Sequence, residues 1–163
     1  MMNNAIIKVG VLIESKERLL LIKEQTWQDK KYYWNFIKGT FEPDKDKDLL
    51  ATAKRESKEE ANVRIDVHSI LNITYLKKNG VYIQINFIAR LVGNKYGLSS
   101  KNDQKKFRDD QQEDIIDIRL FTKEELKKMH RKDFIGERTF QTIQDWISGK
   151  SCPLNTLRSI KDF

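Results

Sequence analysis

The sequence predicts a domain of the α/β (α+β) class, and two observations support this class. Segments rich in β-branched residues predict strands on both sides of a charged central helix. That helix, residues 49–61, has mostly small side chains on one face, which lets a helix approach a sheet closely. The chain has 163 residues, which predicts a single domain, 1–163, with a usable core.

The N-terminal part predicts three strands. Residues 5–14 are nearly continuously hydrophobic, as in a central strand. Residues 18–24 follow a short turn and predict a second strand, antiparallel to the first. Residues 32–37 predict an aromatic strand that runs directly into Lys38-Gly39. The following loop therefore opens close to this dipeptide.

Clear signals bound the helix predicted over residues 49–61. The preceding segment, 44–48, is fully charged, so we expect it to be solvated, with either Asp46 or Asp48 as the N-cap. Asn62 follows the helix, where a left-handed residue often ends one. The predicted core face consists of Leu50, Ala53, Ser57 and Ala61.

Two long strands are predicted after this helix, at residues 64–77 and 81–92. The Asn79-Gly80 dipeptide between them favours a tight hairpin turn. Residues 93–112 are polar and rich in lysine, which predicts a mobile, solvated loop rather than a nucleic-acid patch.

The C-terminal third predicts one more strand and two helices. The strand covers residues 114–121. A capping box formed by Thr122 and Glu125 opens a helix that extends to about His130. The last helix covers residues 136–148. We find no internal repeat in the sequence.

Three glutamates on the central helix form the most unusual feature of the chain. Glu56, Glu59 and Glu60 are spaced i, i+3, i+4, so they share one flank of the helix. Carboxylates this close repel one another at neutral pH. The cluster is therefore either a solvated surface or a site where a hard cation such as Mg²⁺ is bound by oxygen ligands.

Composition limits the classes of protein that the chain can belong to. The net charge of +7 favours anionic partners such as nucleotides or nucleic acid, with a generic soluble surface as the alternative. Apolar runs are too short for a membrane helix, and no signal peptide is indicated. The single cysteine, Cys152, excludes an internal disulfide and favours the cytoplasm. We expect Cys152, His68 and His130 to be structural or inert.

The segment 39–63 resembles the signature of the Nudix hydrolase family. That signature is a glycine, five residues, a glutamate, seven residues, and then Arg-Glu-aliphatic-x-Glu-Glu-x-Gly-aliphatic. The second half here reads Arg-Glu-Ser-Lys-Glu-Glu-Ala-Asn-Val over residues 55–63, with the Arg-Glu and Glu-Glu pairs at the correct spacing. The first half, Gly-Thr-Phe-Glu-Pro over residues 39–43, is similar to the Gly-x-x-Glu-Pro of many members.

Several positions depart from the signature. The segment between Gly39 and Arg55 is two residues longer, and no glutamate stands at the intermediate position, so we expect a longer, altered loop. Ser57 replaces an aliphatic residue, and Asn62 replaces the last glycine. Lys38 stands where a glycine is usual and is a candidate for binding a substrate phosphate.

The resemblance implies an α/β/α sandwich with a mixed β-sheet. It also implies that Glu56, Glu59 and Glu60, with the carbonyl of Lys38, hold Mg²⁺ or Mn²⁺. Such ions neutralise a diphosphate and lower the pKa of bound water. Arg55 would then orient Glu59.

Other site residues stay open at the level of the sequence. The general base is either Glu59 or Glu113, because an acid from the loop before the strand 114–121 often completes the site in the family. Trp27 and Tyr32 are the better candidates for stacking on a base. Tyr33 and Trp34 are further candidates, with one of the two expected in the core.

The function implied by the resemblance is metal-dependent cleavage of a diphosphate linkage in a nucleoside diphosphate joined to another group. Dinucleoside polyphosphates, nucleoside triphosphates and nucleotide sugars are the substrate classes considered. One alternative is a catalytically silent nucleotide sensor, and another is an RNA-binding module or RNA 5′-end hydrolase. The expected partner is a nucleotide-type small molecule, with nucleic acid less favoured and no membrane. Because family members often dimerise, a homodimer is one expected assembly.

Overall fold

The structure is a computed structural model that describes residues 5–26, 28–77, 80–98, 114–158 and 160. Its strands are β1 (Ala5–Ser15), β2 (Arg18–Gln25), β3 (Tyr32–Asn35), β4 (Ile37–Thr40), β5 (Arg64–Lys77), β6 (Val81–Val92), β7 (Ile115–Thr122) and β8 (Cys152–Pro153). The α-helices in the described ranges are α1 (Leu49–Ala61), α2 (Lys123–Lys127) and α3 (Gly136–Ile147). Short 3₁₀ turns occupy Arg131–Asp133 and Leu154–Thr156.

The eight strands form one mixed sheet. Its main order is β3-β2-β1-β6-β5-β8, with β4 added to β1 and β7 added to β2. The central β1–β6 pair is parallel, and the other pairs are antiparallel. The mixed sheet that the resemblance implied is thus confirmed.

Alternation along β1 divides the core into two layers. Val9 and Val11 pack with Ala53 and Ala61 of α1 on one face. Leu12, on the other face, belongs to the cluster that α2 and α3 complete through Leu126, Ile143 and Trp146. Because successive side chains of a strand point to opposite faces, the near-continuous hydrophobicity of β1 reflects helices on both sides of the sheet.

Helix α1 begins and ends as its flanking residues predict. Asp48 is the N-cap, and its side chain accepts a hydrogen bond of 2.8 Å from the Ala51 backbone N–H. Asn62 ends the helix in the left-handed region, at φ 51° and ψ 38°. Buried Ser57 donates its hydroxyl to the Ala53 carbonyl at 2.7 Å, which satisfies this polar group in the core.

The segment predicted as one aromatic strand, 32–37, is divided at Phe36. β3 pairs with β2, whereas β4 pairs with β1, so the chain moves from one part of the sheet to another at this point. Asn35 marks the change, because its side-chain oxygen accepts the Phe36 backbone N–H at 3.0 Å instead of a ladder partner. Lys38 and Gly39 therefore lie within a strand.

The remaining predictions fall on both described and undescribed residues. The capping box of Thr122 and Glu125 is confirmed, and α2 ends at Lys127, three residues before the predicted end. Asn79 and most of the loop 93–112 lie outside the described residues. No helix in the described ranges combines the length and apolar character needed to cross a membrane. Cys152 is exposed and unpaired.

Candidate active site

The candidate site lies between strand β4 and helix α1, and the guanidinium of Arg55 is at its centre. The Arg55 side chain is 22% exposed, so its charge is shielded from most of the solvent. Its Nη1 donates to Glu56 Oε1 at 2.7 Å and to Glu59 Oε2 at 3.2 Å. Its Nη2 donates to the Thr40 carbonyl at 3.1 Å. One side chain thus holds two helix carboxylates against the end of β4.

Asp46 anchors the other side of this guanidinium. Arg55 Nε and Nη2 each donate to one carboxylate oxygen of Asp46 at 2.8 Å. Asp46 also accepts the Thr52 hydroxyl at 2.9 Å and the Glu42 backbone N–H at 3.2 Å. Hydrogen bonding from Arg55 is the largest influence that lowers the pKa of Asp46 to about 2. The pair therefore carries both charges at neutral pH.

The burial of Asp46 corrects the prediction for the loop before α1. The charged segment 44–48 was expected to be solvated, yet Asp46 is 4% exposed. Asp46 lies against α1, where Arg55 and Thr52 satisfy its carboxylate. Asp48, the other residue considered as N-cap, takes that role alone. Sequence reasoning did not identify Asp46 as a site residue, although its position was among those compared with the missing glutamate.

Gly39 makes room for the first of the helix carboxylates. A Cβ placed on Gly39 would lie 1.7 Å from Glu56 Oε1 and 1.9 Å from Glu56 Cδ, so no other residue fits without displacing the carboxylate. Glu56 is 9% exposed, deeper than a position beside the core face implies. Its burial raises its pKa to about 7, against the opposing effect of Arg55. Burial also raises the pKa of Glu59, again against Arg55.

The donor set suits a hard divalent cation in its chemistry. Glu56, Glu59 and Glu60 present carboxylate oxygens, the ligands that Mg²⁺ and Mn²⁺ prefer. The space left by Gly39 also leaves Glu56 close to the β4 backbone. Within the described ranges, however, no three His, Cys, Asp or Glu side chains are already assembled as a metal site. Arg55 takes up part of the charge that a cation would neutralise.

Lys38 lies next to Gly39, but its side chain is directed to a buried carboxylate. Lys38 Nζ is 3.6 Å from Glu24 Oε1, and Glu24 is 1% exposed. The Asn35 amide donates to the same oxygen at 2.5 Å. Asn35 in turn accepts the Thr139 hydroxyl at 3.0 Å, which connects the pair to α3. No pattern in the sequence indicated Glu24, because its partners come from other strands.

The other predicted site residues are distributed as follows. Tyr32 is 38% exposed on β3, which leaves its ring accessible. Trp34 packs edge-on against Phe121, with 4.7 Å between the ring centres, so it is the core member of the Tyr33–Trp34 pair. Trp27 and Glu113 lie outside the described residues. The structure thus brings together Arg55, Glu56 and Glu59, with Glu60 on the same helix.

Comparison with known proteins identifies one matching family and many solved structures with a similar fold. The family model described as NUDIX domain matches residues 6–141. A NUDIX hydrolase from Nitrosomonas europaea is 20% identical and covers 96% of this chain and 98% of its own, with a TM-score of 0.72. The MutT protein from Methanosarcina mazei Go1 is 18% identical, with coverages of 92% and 99% and a TM-score of 0.65.

A third similar structure is a complex with a nucleotide ligand. The NUDIX domain of Shewanella oneidensis NrtR, complexed with ADP ribose, is 12% identical, with coverages of 90% and 88% and a TM-score of 0.65. These likenesses establish the fold. No curated protein sequence matches the chain.

Proposed function

The chain belongs to the Nudix hydrolase family, and from this premise we propose that it is a pyrophosphohydrolase dependent on Mg²⁺ or Mn²⁺. Its proposed reaction is hydrolysis of a diphosphate linkage in a nucleoside diphosphate joined to another group. The observation that carries this proposal is the Glu56 carboxylate, buried against Gly39 and held by Arg55. A buried, partly protonated carboxylate is poorly stable alone, and a divalent cation would favour its ionised form.

The proposed metal ligands are the carboxylates of Glu56, Glu59 and Glu60 with the carbonyl of Lys38. A divalent ion bound there would neutralise the diphosphate and lower the pKa of the attacking water. Arg55 acts as a positioning residue, since it donates to both Glu56 and Glu59 and is itself fixed by Asp46.

Glu59 is the proposed general base in the described part of the chain. A base works best when its pKa lies near the working pH, and burial moves the pKa of Glu59 upward. Glu113, the other candidate, stays a prediction. For Lys38, the ion pair with Glu24 means that substrate phosphate would have to compete with a buried carboxylate.

The proposed substrate class is a nucleotide with an added phosphate-linked group. The ADP ribose bound to the NrtR NUDIX domain is one such molecule in a protein of the same fold. The net charge of +7 suits an anionic substrate and leaves dinucleoside polyphosphates and nucleoside triphosphates as further members of this class. The exposed thiol of Cys152 agrees with a reducing compartment, so a cytoplasmic location stays our prediction.

A catalytically silent nucleotide sensor is the second candidate, and one observation favours it. Glu56 and Glu59 both accept hydrogen bonds from Arg55, whose positive charge lies where a cation would otherwise balance these carboxylates. In such a protein Arg55 would replace the cation permanently. Nucleotides would then bind without turnover at any metal concentration.

A metal-supplemented screen tests these candidates. Wild-type protein is incubated with Mg²⁺ or Mn²⁺ and with ADP-ribose, a dinucleoside tetraphosphate, nucleoside triphosphates and a 5′-capped RNA, and the products are identified. Glu59→Gln should lower the rate of the best reaction by about 100-fold or more. Glu124→Gln, an exposed glutamate on α2, is the matched control and should retain full activity. Equal rates for Glu59→Gln and wild type would reject the site; binding without product would favour the sensor.

A further inference from the structure

The outer edge of β5 has no partner strand along its second half. β5 lies at one side of the sheet, between β6 and the two-residue strand β8. β8 pairs only with Ser69 and Ile70, whereas β6 follows β5 as far as Lys77. In the described part of the chain, no strand pairs with the outer side of residues 71–77. An edge of this kind presents backbone N–H and C=O groups that can pair with another strand.

Two large apolar side chains lie along this edge. Ile73 is 62% exposed and Tyr75 is 79% exposed. Opposite them on β6 are Ile85, which is 7% exposed, and Ile83, which is half-buried, and both belong to the core layer on the α1 side of the sheet. Directly opposite residues of an antiparallel pair share a face. Ile73 and Tyr75 therefore continue this apolar layer to the edge, where it is open to solvent.

The edge also lacks the charges that usually block such strands. Residues 71–76 read Leu-Asn-Ile-Thr-Tyr-Leu, without a charged side chain, and Lys77 follows at the end. Natural proteins protect exposed edges with charged residues or proline. β7, another strand with a single partner in the described ranges, carries exposed Asp117 and Arg119. The β5 edge is thus neutral, apolar and suited to strand pairing.

This segment is complementary to itself. When two copies pair antiparallel about a twofold axis at Thr74, Ile73 lies opposite the partner's Tyr75 and Asn72 lies opposite the partner's Leu76. A β-branched residue opposite an aromatic one is a favourable cross-strand pair. Lys77 and the partner's Lys77 lie at opposite ends of the paired segment, about 20 Å apart, so like charges do not meet.

We propose that residues 72–76 of β5 bind the same edge of a second copy of the chain, so that two sheets join across a twofold axis. The occupant is a second copy because the edge carries no charge that would select an acidic or basic peptide, whereas it matches itself residue by residue. Since few exposed side chains contribute, the interface is at the small end of the range, and association is weak and concentration-dependent. β6 and β1 separate this edge from β4, so the inference does not depend on the proposed function.

The molar mass of the full chain in solution tests this surface. Sedimentation equilibrium at about 1 to 200 µM should show wild type approaching twice the mass of one chain. Tyr75→Lys should weaken association about tenfold or more, because a charge then faces the partner's Ile73. It should keep the fold, since Tyr75 is 79% exposed, and a melting curve checks this. Ile116→Lys, at a position of β7 that is 43% exposed, is the matched control and should associate as wild type does.

Two double variants test whether the edge pairs with itself. One is Ile73→Lys/Tyr75→Lys, and the other is Ile73→Glu/Tyr75→Glu. Each should stay monomeric alone, because like charges then lie opposite one another across the twofold axis. An equal mixture should form a mixed dimer, in which opposite charges face each other.

Three results would overturn the inference. The first is a wild type that stays monomeric at every concentration, including one that binds an extended peptide instead. The second is equal association of Tyr75→Lys, Ile116→Lys and wild type. The third is a mixture of the two double variants that stays monomeric.

Discussion

Arg55 and Asp46 form a two-pronged ion pair in which each oxygen of the aspartate accepts one hydrogen bond of 2.8 Å from the guanidinium. Asp46 belongs to the loop before α1, and Arg55 belongs to α1 itself. The guanidinium is thereby fixed on one side, and its remaining donors reach Glu56 and Glu59. The positions of the candidate metal ligands thus depend on an aspartate in the stretch where the family signature has its intermediate glutamate.

Removing the Asp46 carboxylate should therefore affect stability and activity together. Asp46→Ala leaves Arg55 partly buried without its main partner, so the free energy of unfolding should fall by about 2 kcal/mol. Urea unfolding at pH 7 measures this loss. The matched control is Asp44→Ala, an exposed residue of the same loop, which should change stability by less than about 0.5 kcal/mol. Equal midpoints for the two variants would contradict the role of Asp46.

The difference between wild type and Asp46→Ala should disappear in acid. The pKa of Asp46 falls from 3.8 to about 2 in the folded protein, so its stabilisation is complete above pH 4. It is lost as the pH falls through about 2, because the carboxylate protonates first in the unfolded state and then, around this pH, in the folded state. Unfolding free energies of the two proteins, measured between pH 7 and pH 2, should converge at the low end. A constant difference over this range would mean that charge is not what stabilises the pair.

Gly39→Ala tests the close approach of β4 and Glu56. The new Cβ would lie 1.7 Å from Glu56 Oε1, so the carboxylate must move. A displacement of this size in a catalytic group can lower the rate about 100-fold. The measurement is kcat on the best substrate of the screen. Gly97→Ala is the control, because nothing lies within 4 Å of a Cβ there and its activity should be unchanged.

Arg55→Lys separates the charge of Arg55 from its geometry. A lysine keeps the positive charge but cannot bond both oxygens of Asp46 and also reach Glu56 and Glu59. We expect stability to fall by about 2 kcal/mol and kcat by about 10- to 100-fold. Arg64→Lys, on an exposed position of β5, is the control and should behave as wild type. A kcat equal to wild type would show that charge alone suffices.

Sequence patterns predicted the central helix, the long strands, the fold class and the family, and the structure and comparisons confirm these. They succeeded because these features depend on residues that are close in sequence. Examples are the hydrophobic run of β1, the small side chains on one face of α1, and the caps at Asp48 and Asn62. A single domain over the whole chain stays a prediction, as do a homodimer and the roles of Trp27 and Glu113.

The sequence-based predictions of exposure failed where a buried polar side chain forms its hydrogen bonds with residues from other parts of the chain. The charged composition of 44–48 predicted that Asp46 is exposed to solvent. Instead, Asp46 is buried and bonded to Arg55, nine residues away. Glu24 is similarly buried through Asn35 and Lys38, and Gln84 through Asn86. Such burial depends on pairing between elements, which hydrophobic periodicity does not encode.

The pKa of Glu56 gives a test of metal binding that does not depend on turnover. Burial raises this pKa from 4.5 to about 7, so the folded state favours the protonated form. Its contribution to stability is therefore complete below pH 4.5 and is lost as the pH rises to 7, a change of about 3 kcal/mol. Without metal, Glu56→Gln should remove this decline and be more stable than wild type at pH 8.

Mg²⁺ or Mn²⁺ at pH 8 should then raise the melting temperature of wild type and of the Glu124→Gln control, but raise that of Glu56→Gln much less. An equal response of all three proteins to the metal would exclude Glu56 as a ligand.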